Sequence, residues 1–426
     1  MYKKILMSIF TVLLILTLTS CNQNHSDDTS SADNKKSNET SSSTQVAQPQ
    51  NNEIETKMNY KVNNEIEIGN NSDIIAKQGV FKDKVYHRNC IVPLGTDKEG
   101  NFITFNLKTN NIESIDSKNN LSVLLNIMEG RNNHVYTMRK FGDIVAWSEC
   151  PHADVDPDET RGANWGLYFA DLSTKKITKI DGYKEIDVPE NAQYSYFVPN
   201  NVFISPDRIS YISWDYSPDG KVTSVIKLYT ISSGKLEIID YLNEDITKYI
   251  FGNPHISGDK MVWSKSLINP DGTYTGYSIL YDLKTKAKLK LSTKENIINP
   301  TISGNYIFAQ GVPNKTFYDS EVCIYDISKN EWIYKINNGY SEYSAQYDVN
   351  LTNLDAVGNY LSWYIGESNS LVLFNKEDNK LYNIIPYSEK KEINNVQLLD
   401  GGLLTWFEHP IGSDRSKSEY KYIFLK

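Results

Sequence analysis

The chain has 426 residues, 39% hydrophobic and 23% charged, enough apolar material for two ordinary domains or one large repeat fold. Its 14 Pro and 23 Gly exclude a fibrous or proline-rich chain. With 44 Lys+Arg against 53 Asp+Glu the net charge is -9, opposite to the balance of a general nucleic-acid binder, so nucleic acid is not an expected partner. Six His and four Cys leave little material for elaborate metal clusters.

Residues 1–21 read MYKKILMSIFTVLLILTLTSC. Lys3 and Lys4 form a positive start, and Ile5 to Leu18 an apolar run of about 14 residues, or roughly 21 Å as a helix. That is too short to span a ~30 Å hydrocarbon core and reads as an export signal. It ends Leu18-Thr19-Ser20-Cys21, which resembles the lipobox of bacterial lipoproteins. The resemblance implies that Cys21 is acylated on sulfur and becomes the first mature residue. A membrane partner through a lipid anchor follows, with the protein facing the extracellular or periplasmic side. Residues 22–57 are almost devoid of apolar side chains and read as a Ser/Asn-rich disordered tether with a root-mean-square span of roughly 30–36 Å. The remaining residues, 58–426, form the folded domain.

A turn followed by an apolar strand recurs seven times through that domain, with Asp83, Asp143, Asp207, Asp259, Asn305, Asn359 and Gly402 as turn markers. In five copies the marker follows a Gly, the chemistry of tight hairpins. Four residues beyond each marker stand His87, Trp147, Tyr211, Trp263, Ala309, Trp363 and Trp406. The recurring Trp residues read as packing between repeats. A second marker, such as Tyr281-Asp282-Leu283-Lys284-Thr285 or Tyr325-Asp326-Ile327-Ser328-Lys329, ends a later strand in six copies, Phe105-Asn106 being the first. Four short strands per unit at a spacing of about 53 residues describe an all-β propeller. Seven blades are favoured, and six or eight stay open because the first two units carry long insertions and less regular turns. The last unit ends at Lys426 without a fourth strand, and Tyr60 to Ile68 alternates like a strand. An N-terminal strand completing the last blade is therefore expected, and Tyr60–Ile68 is the segment the alternation selects.

The Ser205-Pro206-Asp207 and later Ser-Gly-Asp turns, with their Tyr-Asp strands, resemble the TolB-like and WD-repeat-like propellers over roughly residues 60–426. That resemblance implies the fold and leaves the activity open.

His255 falls on an expected inner strand, Asn253 to Ser257, where it would line the central channel, and Asp355 stands near another. Cys90 and Cys150 lie seven residues past their turn markers in adjacent units. They read as a disulfide pair, as unpaired thiols, or, with His87 and His152, as a soft metal site. Asp154, Asp156 and Asp158 alternate as calcium-loop carboxylates do, the other reading being a solvated acidic loop. Tyr194, Tyr196, Tyr274 and Tyr277 lie in insertions, and exposed tyrosines suit protein or sugar surfaces. Taken together these residues point to a binding or scaffold domain for a protein, peptide or glycan, with no cofactor beyond the calcium considered. An accessory or sensor subunit of an envelope complex is a further reading, and oligomeric state is left open. An enzyme acting on carbohydrate or peptide would need converging acids at the inner-strand ends, where little accompanies Asp355.

Overall fold

Short runs of β-branched and aromatic residues, each cut off by a Gly, Asn or Asp turn, direct the backbone into antiparallel hairpins. The computed structural model describes residues 57–61, 66–81, 91–128, 133–151, 164–189, 192, 198–199, 201–270, 273–291, 296–312, 321–337, 351–365, 369–412 and 419–426. Residues 1–56, which hold the expected export signal and nearly all of the expected tether, lie outside the described residues. Seven antiparallel sheets follow one another along the chain. Their inner strands are Ile91–Thr96, Asn133–Phe141, Val202–Ser205, His255–Ser257, Asn296–Ser303, Leu351–Val357 and Lys391–Leu399. Each packs beside the next, and a bridge between Gly95 and Asp400 returns the last to the first. The protein is a seven-bladed β-propeller, with blades one to seven in that order.

Blade three shows the plan. Val202–Ser205 pairs with Arg208–Tyr216, which pairs with Val222–Thr230, which pairs with the outer strand Lys235–Tyr241. The inner hairpins turn where the sequence marks them. Gly142, Gly258, Gly304 and Gly358 hold φ between 56° and 58°, a conformation that costs a residue with a Cβ about 1 kcal/mol or more.

The blades adhere through apolar seams. Trp147, Trp263 and Trp363 are fully buried, and Trp406 nearly so, each in a cluster that includes side chains of the preceding blade. Blade five carries Ala309 at this position, and the seam there is filled by Trp332 from its own outer strand, also fully buried. A missing aromatic on the second strand is thus offset by one two strands away.

Blade one departs from the sequence reading. Its inner hairpin turns at Asp97–Asn101, where the Asp97 carboxylate accepts from the backbone N–H groups of Glu99 and Asn101 at 3.0 and 2.8 Å. The marker at Asp83 lies outside the described residues. Phe105, expected near the end of a third strand, lies on the second strand, 2% exposed beside Trp147 in the seam with blade two, while Phe102 faces the seam with blade seven.

Ring closure by an N-terminal strand is present, but the strand is Ile75–Val80, not Tyr60–Ile68. It pairs antiparallel with Glu419–Leu425 as the outer strand of blade seven. The earlier segment serves two other blades. Lys57–Lys61 adds a fifth, parallel strand to blade five alongside Glu331–Asn337. Glu67 and Gly69 then exchange backbone hydrogen bonds with Leu381 of blade six at 3.0 and 2.8 Å. Gly69 lies so close to the Tyr382 ring that a Cβ there would meet Cε1 at 2.3 Å. The segment is a strap around the rim of blades five, six and seven. Ile66, Ile74 and Phe81 insert from it into three apolar clusters, at 5%, 3% and 6% exposure.

Candidate functional site

The inner strands share a register. In blades two to six the third residue counted back from the strand end is Arg139, Phe203, His255, Thr301 and Asp355, paired with Ala146, Ser210, Val262, Phe308 and Ser362 of the second strand. Gln397 in blade seven pairs with Thr405 at the same place, and in blade one the first pair after the bulge is Gly95 with Ile103, so that blade offers no side chain there. Their strand neighbours Ile256, Ile302 and Leu398 point the other way, into the seams. Period-two alternation therefore delivers one side chain from each of blades two to seven to a ring about the propeller axis.

Contacts run around that ring from blade to blade. The Arg139 guanidinium carbon lies 5.8 Å from the Phe203 ring centroid. Phe203 packs on the His255 imidazole with centroids 3.8 Å apart. His255 Nδ1 shares a 2.8 Å hydrogen bond with the Thr301 hydroxyl. Across the next gap the Leu398 N–H of blade seven donates to Asp355 Oδ2 at 3.4 Å.

Electrostatics follow from the enclosure. Burial, and then the positive charge of Arg139, push the His255 pKa down to about 3, so the imidazole is neutral near pH 7. It can donate or accept a hydrogen bond but is not poised as a general acid or base there. Burial raises the Asp355 carboxyl above the ordinary carboxylate range, although Arg139 and the Leu398 N–H pull against it. Among the described residues Arg139 has no carboxylate within ion-pair distance. Four other buried cations are matched, Lys140 by Asp400 at 2.8 Å, Lys227 by Asp181 at 2.7 Å, Lys265 by Glu244 at 3.0 Å and Lys288 by Asp240 at 2.7 Å, whereas among the described residues Lys376 hydrogen-bonds to Ser303 alone.

The structure thus joins His255 and Asp355, the two residues the sequence offered for the channel, in one ring. Arg139, Phe203, Thr301 and Gln397 were missed, yet the signal was present. In blades two to six the ring residue stands four positions before the turn marker, and Gln397 four before Gly401. Tyr277 lies on the third strand of blade four, with the Lys290 ammonium 4.2 Å from its ring centroid, and takes no part in the ring. Tyr274 is on the same strand, its side chain outside the described residues. Tyr194, Tyr196, Asp154, Asp156, Asp158, Cys90 and Cys21 also lie outside them. Cys150 is fully buried at the end of a second strand, where its thiol contacts the Pro151 carbonyl at 3.5 Å. Burial, and then Cys150 itself, push the neighbouring Tyr136 hydroxyl above its ordinary pKa. Among the described residues no group of three or more His, Cys, Asp or Glu gathers as a metal cluster.

The chain matches no protein-family model and no curated protein. Solved structures resemble it in fold. The β-propeller domain of the Trilobed protease from Pyrococcus furiosus, described as having an open velcro topology, is 13% identical with a TM-score of 0.47, over 78% of this chain and 92% of that one. An oligogalacturonate lyase in complex with manganese is 11% identical with a TM-score of 0.45, over 82% of this chain and 98% of that one. The Pyrococcus horikoshii acylaminoacyl peptidase is 13% identical with a TM-score of 0.45 over 72% of this chain, which spans only 47% of that protein. The likeness is to propeller domains of peptidases and lyases and is one of fold.

Proposed function

We propose that this chain is a cell-envelope lipoprotein, anchored through acylated Cys21, whose TolB-like propeller is a non-catalytic recognition domain held off the membrane by residues 22–57. Its ligand is a peptide, a protein or a glycan, or a small component of one. The observation that carries the reading is the contrast between the axial ring and the rest of the fold. Among the described residues Lys140 and Lys227 meet carboxylates, and Lys376, without one, bonds to Ser303, whereas at the axis Arg139 has an aromatic ring but no carboxylate beside it and Asp355 accepts one long backbone bond. Polar groups left under-satisfied in an enclosed place gain most from an incoming ligand. The ring carries a single carboxylate, where glycoside hydrolysis by paired acids uses two.

The test is a thermal-shift screen of the full chain against short peptides, muropeptides, oligosaccharides and amino acids. Each ligand that raises Tm is then recovered and weighed. The reading expects at least one stabilising ligand, recovered intact. Conversion of that ligand to a product would overturn the non-catalytic assignment and favour the enzyme.

A further inference from the structure

The ring has a polarity of its own, which deepens the recognition reading and rests on it. Arg139 is in blade two and Asp355 in blade six, about 150° apart around a seven-fold axis. Among the described residues they are not in ion-pair contact, yet the guanidinium charge is felt by the Asp355 carboxyl as well as by His255. Along the arc from Arg139 towards Asp355 the wall is the Phe203–His255 ring pair and the Thr301 hydroxyl, and on the other arc Gln397. One pole is cationic, the opposite pole carries an acid, and an aromatic face lies between.

We propose that this ring binds a small zwitterion with an apolar side chain, of the α-amino acid class. The carboxylate lies on Arg139, the ammonium on Asp355, and the side chain against Phe203. Guanidinium and carboxylate match as a planar two-point pair, and the aromatic face takes the hydrocarbon. A simple anion would satisfy Arg139 but bring its charge towards Asp355. A simple cation would do the reverse. Only a ligand with both charges satisfies both poles.

Isothermal titration of the full chain with L-leucine and L-phenylalanine tests this, with 4-methylpentanoate and 3-methylbutylamine as single-charge controls. The expected result is one saturable site for at least one of the two amino acids, at least tenfold tighter than for either control. Arg139→Met and Asp355→Asn each weaken it at least tenfold. Arg139→Lys, which keeps the charge, confirms that a loss is not unfolding if its melting temperature matches the parent while affinity still falls. Absence of saturable heat with both amino acids overturns the proposal, as does a control binding as tightly as its amino acid. Unchanged affinity in a folded Asp355→Asn chain does so too. A stabilising ligand from the wider screen whose shift survives both Arg139→Met and Asp355→Asn would leave the recognition domain standing and remove its site from the axis.

Discussion

Lys227 offers a direct test of how the blades are held in register. It lies on the third strand of blade three with its side chain 2% exposed. Its ammonium is 2.7 Å from Asp181 Oδ2 and 3.1 Å from Asp215 Oδ2. Asp181 belongs to the outer strand of blade two, so the pair crosses a seam, and Tyr211 donates its hydroxyl to the same carboxylate at 2.8 Å. Lys227→Met preserves most of the side-chain length and removes the charge. It leaves two carboxylates, 8% and 11% exposed, with only the half-exposed Lys184 for compensation. Removing one partner from a buried pair costs about 3–5 kcal/mol, because the remaining charge is stranded. A domain of roughly 370 residues has an unfolding entropy of about 0.8 kcal/mol per kelvin, so Tm should fall by about 4–6 °C at pH 7. The pH dependence has a definite sign. Burial raises the Asp215 carboxyl, but Lys227, Lys184 and the Tyr216 N–H together hold it below its ordinary value. Its contribution is therefore present above the ordinary carboxylate range and lost as pH falls through the lowered value. In Lys227→Met burial gains the upper hand, and protonation then relieves strain, so the gap to the parent should narrow from pH 7 to pH 5. Circular-dichroism melts measure both. A variant melting within about 1 °C of the parent at pH 7, or a gap that widens at pH 5, would refute the reasoning.

Three further outcomes follow from the same structure. Ile74→Ala should cost about 2–5 kcal/mol in urea unfolding, because its cluster joins the strap to blades six and seven; a cost below about 1 kcal/mol would mean that the strap merely decorates the rim. Since the His255 pKa is lowered to about 3 in the fold, the unfolded chain takes up a proton first, and stability drains away as pH falls from about 6.5 towards that value. His255→Gln should flatten this acid limb in melts between pH 6.5 and 4.5, and an unchanged slope would place the titration elsewhere. Cys21→Ala should release the protein from the membrane pellet into the soluble fraction; continued detergent dependence would defeat the lipid anchor.

The parts legible in the sequence are those where a backbone requirement and a packing requirement fall at a fixed spacing. Gly258-Asp259 with Trp263 four positions on is such a pair, the Gly supplying positive φ and the Trp filling a seam. Blade one turns instead at Asp97–Asn101 with Gly100 at positive φ, and the aromatic in its seam with blade seven is Phe102, next to the turn rather than four positions on. The false marker at Asp83 therefore took its place. Closure was legible as a need and not as an address. Ile66, Glu67 and Ile68 alternate like a strand, yet Ile66 is a seam plug at 5% exposure while Ile68 stands 49% exposed. The true closing strand, Ile75–Val80, has no fully buried side chain, because an outer strand is held mainly by its backbone ladder. Hydropathy cannot signal such a strand. The axial ring escaped for a related reason. Its members share a register and differ in chemistry, so no residue type repeats, and only alignment on the turns brings Arg139 and Asp355 to the same place.

Blade one is also where ring closure has least to work with. Its second and third strands, Phe102–Asn106 and Asn111–Ile115, have five residues each, against nine in the corresponding strands of blade three. A clasp of charge and backbone spans it. Asp400, in the inner turn of blade seven, accepts from the Lys140 ammonium and from the Gly142 N–H of blade two, both at 2.8 Å. Lys140 in turn donates to the Thr96 carbonyl of blade one at 2.7 Å, and the Thr96 N–H donates to the Asp400 carbonyl at 3.3 Å. Three blades are thus tied at one point close to the axis, with the Lys140 side chain 2% exposed and its charge-assisted bonds shielded from water. The clasp also bears on recognition. Lys140 is the strand neighbour of Arg139, and Asp400 ends the strand that carries Gln397, so the contact that closes the ring sets the distance between two of its wall residues. A propeller that only had to stay folded could close through its apolar seam at Phe81, Phe102 and Leu403. An ion pair with fixed directions adds what a hydrophobic seam lacks, a defined register between blades two and seven, and a site that takes hold of a ligand from opposite walls requires that register.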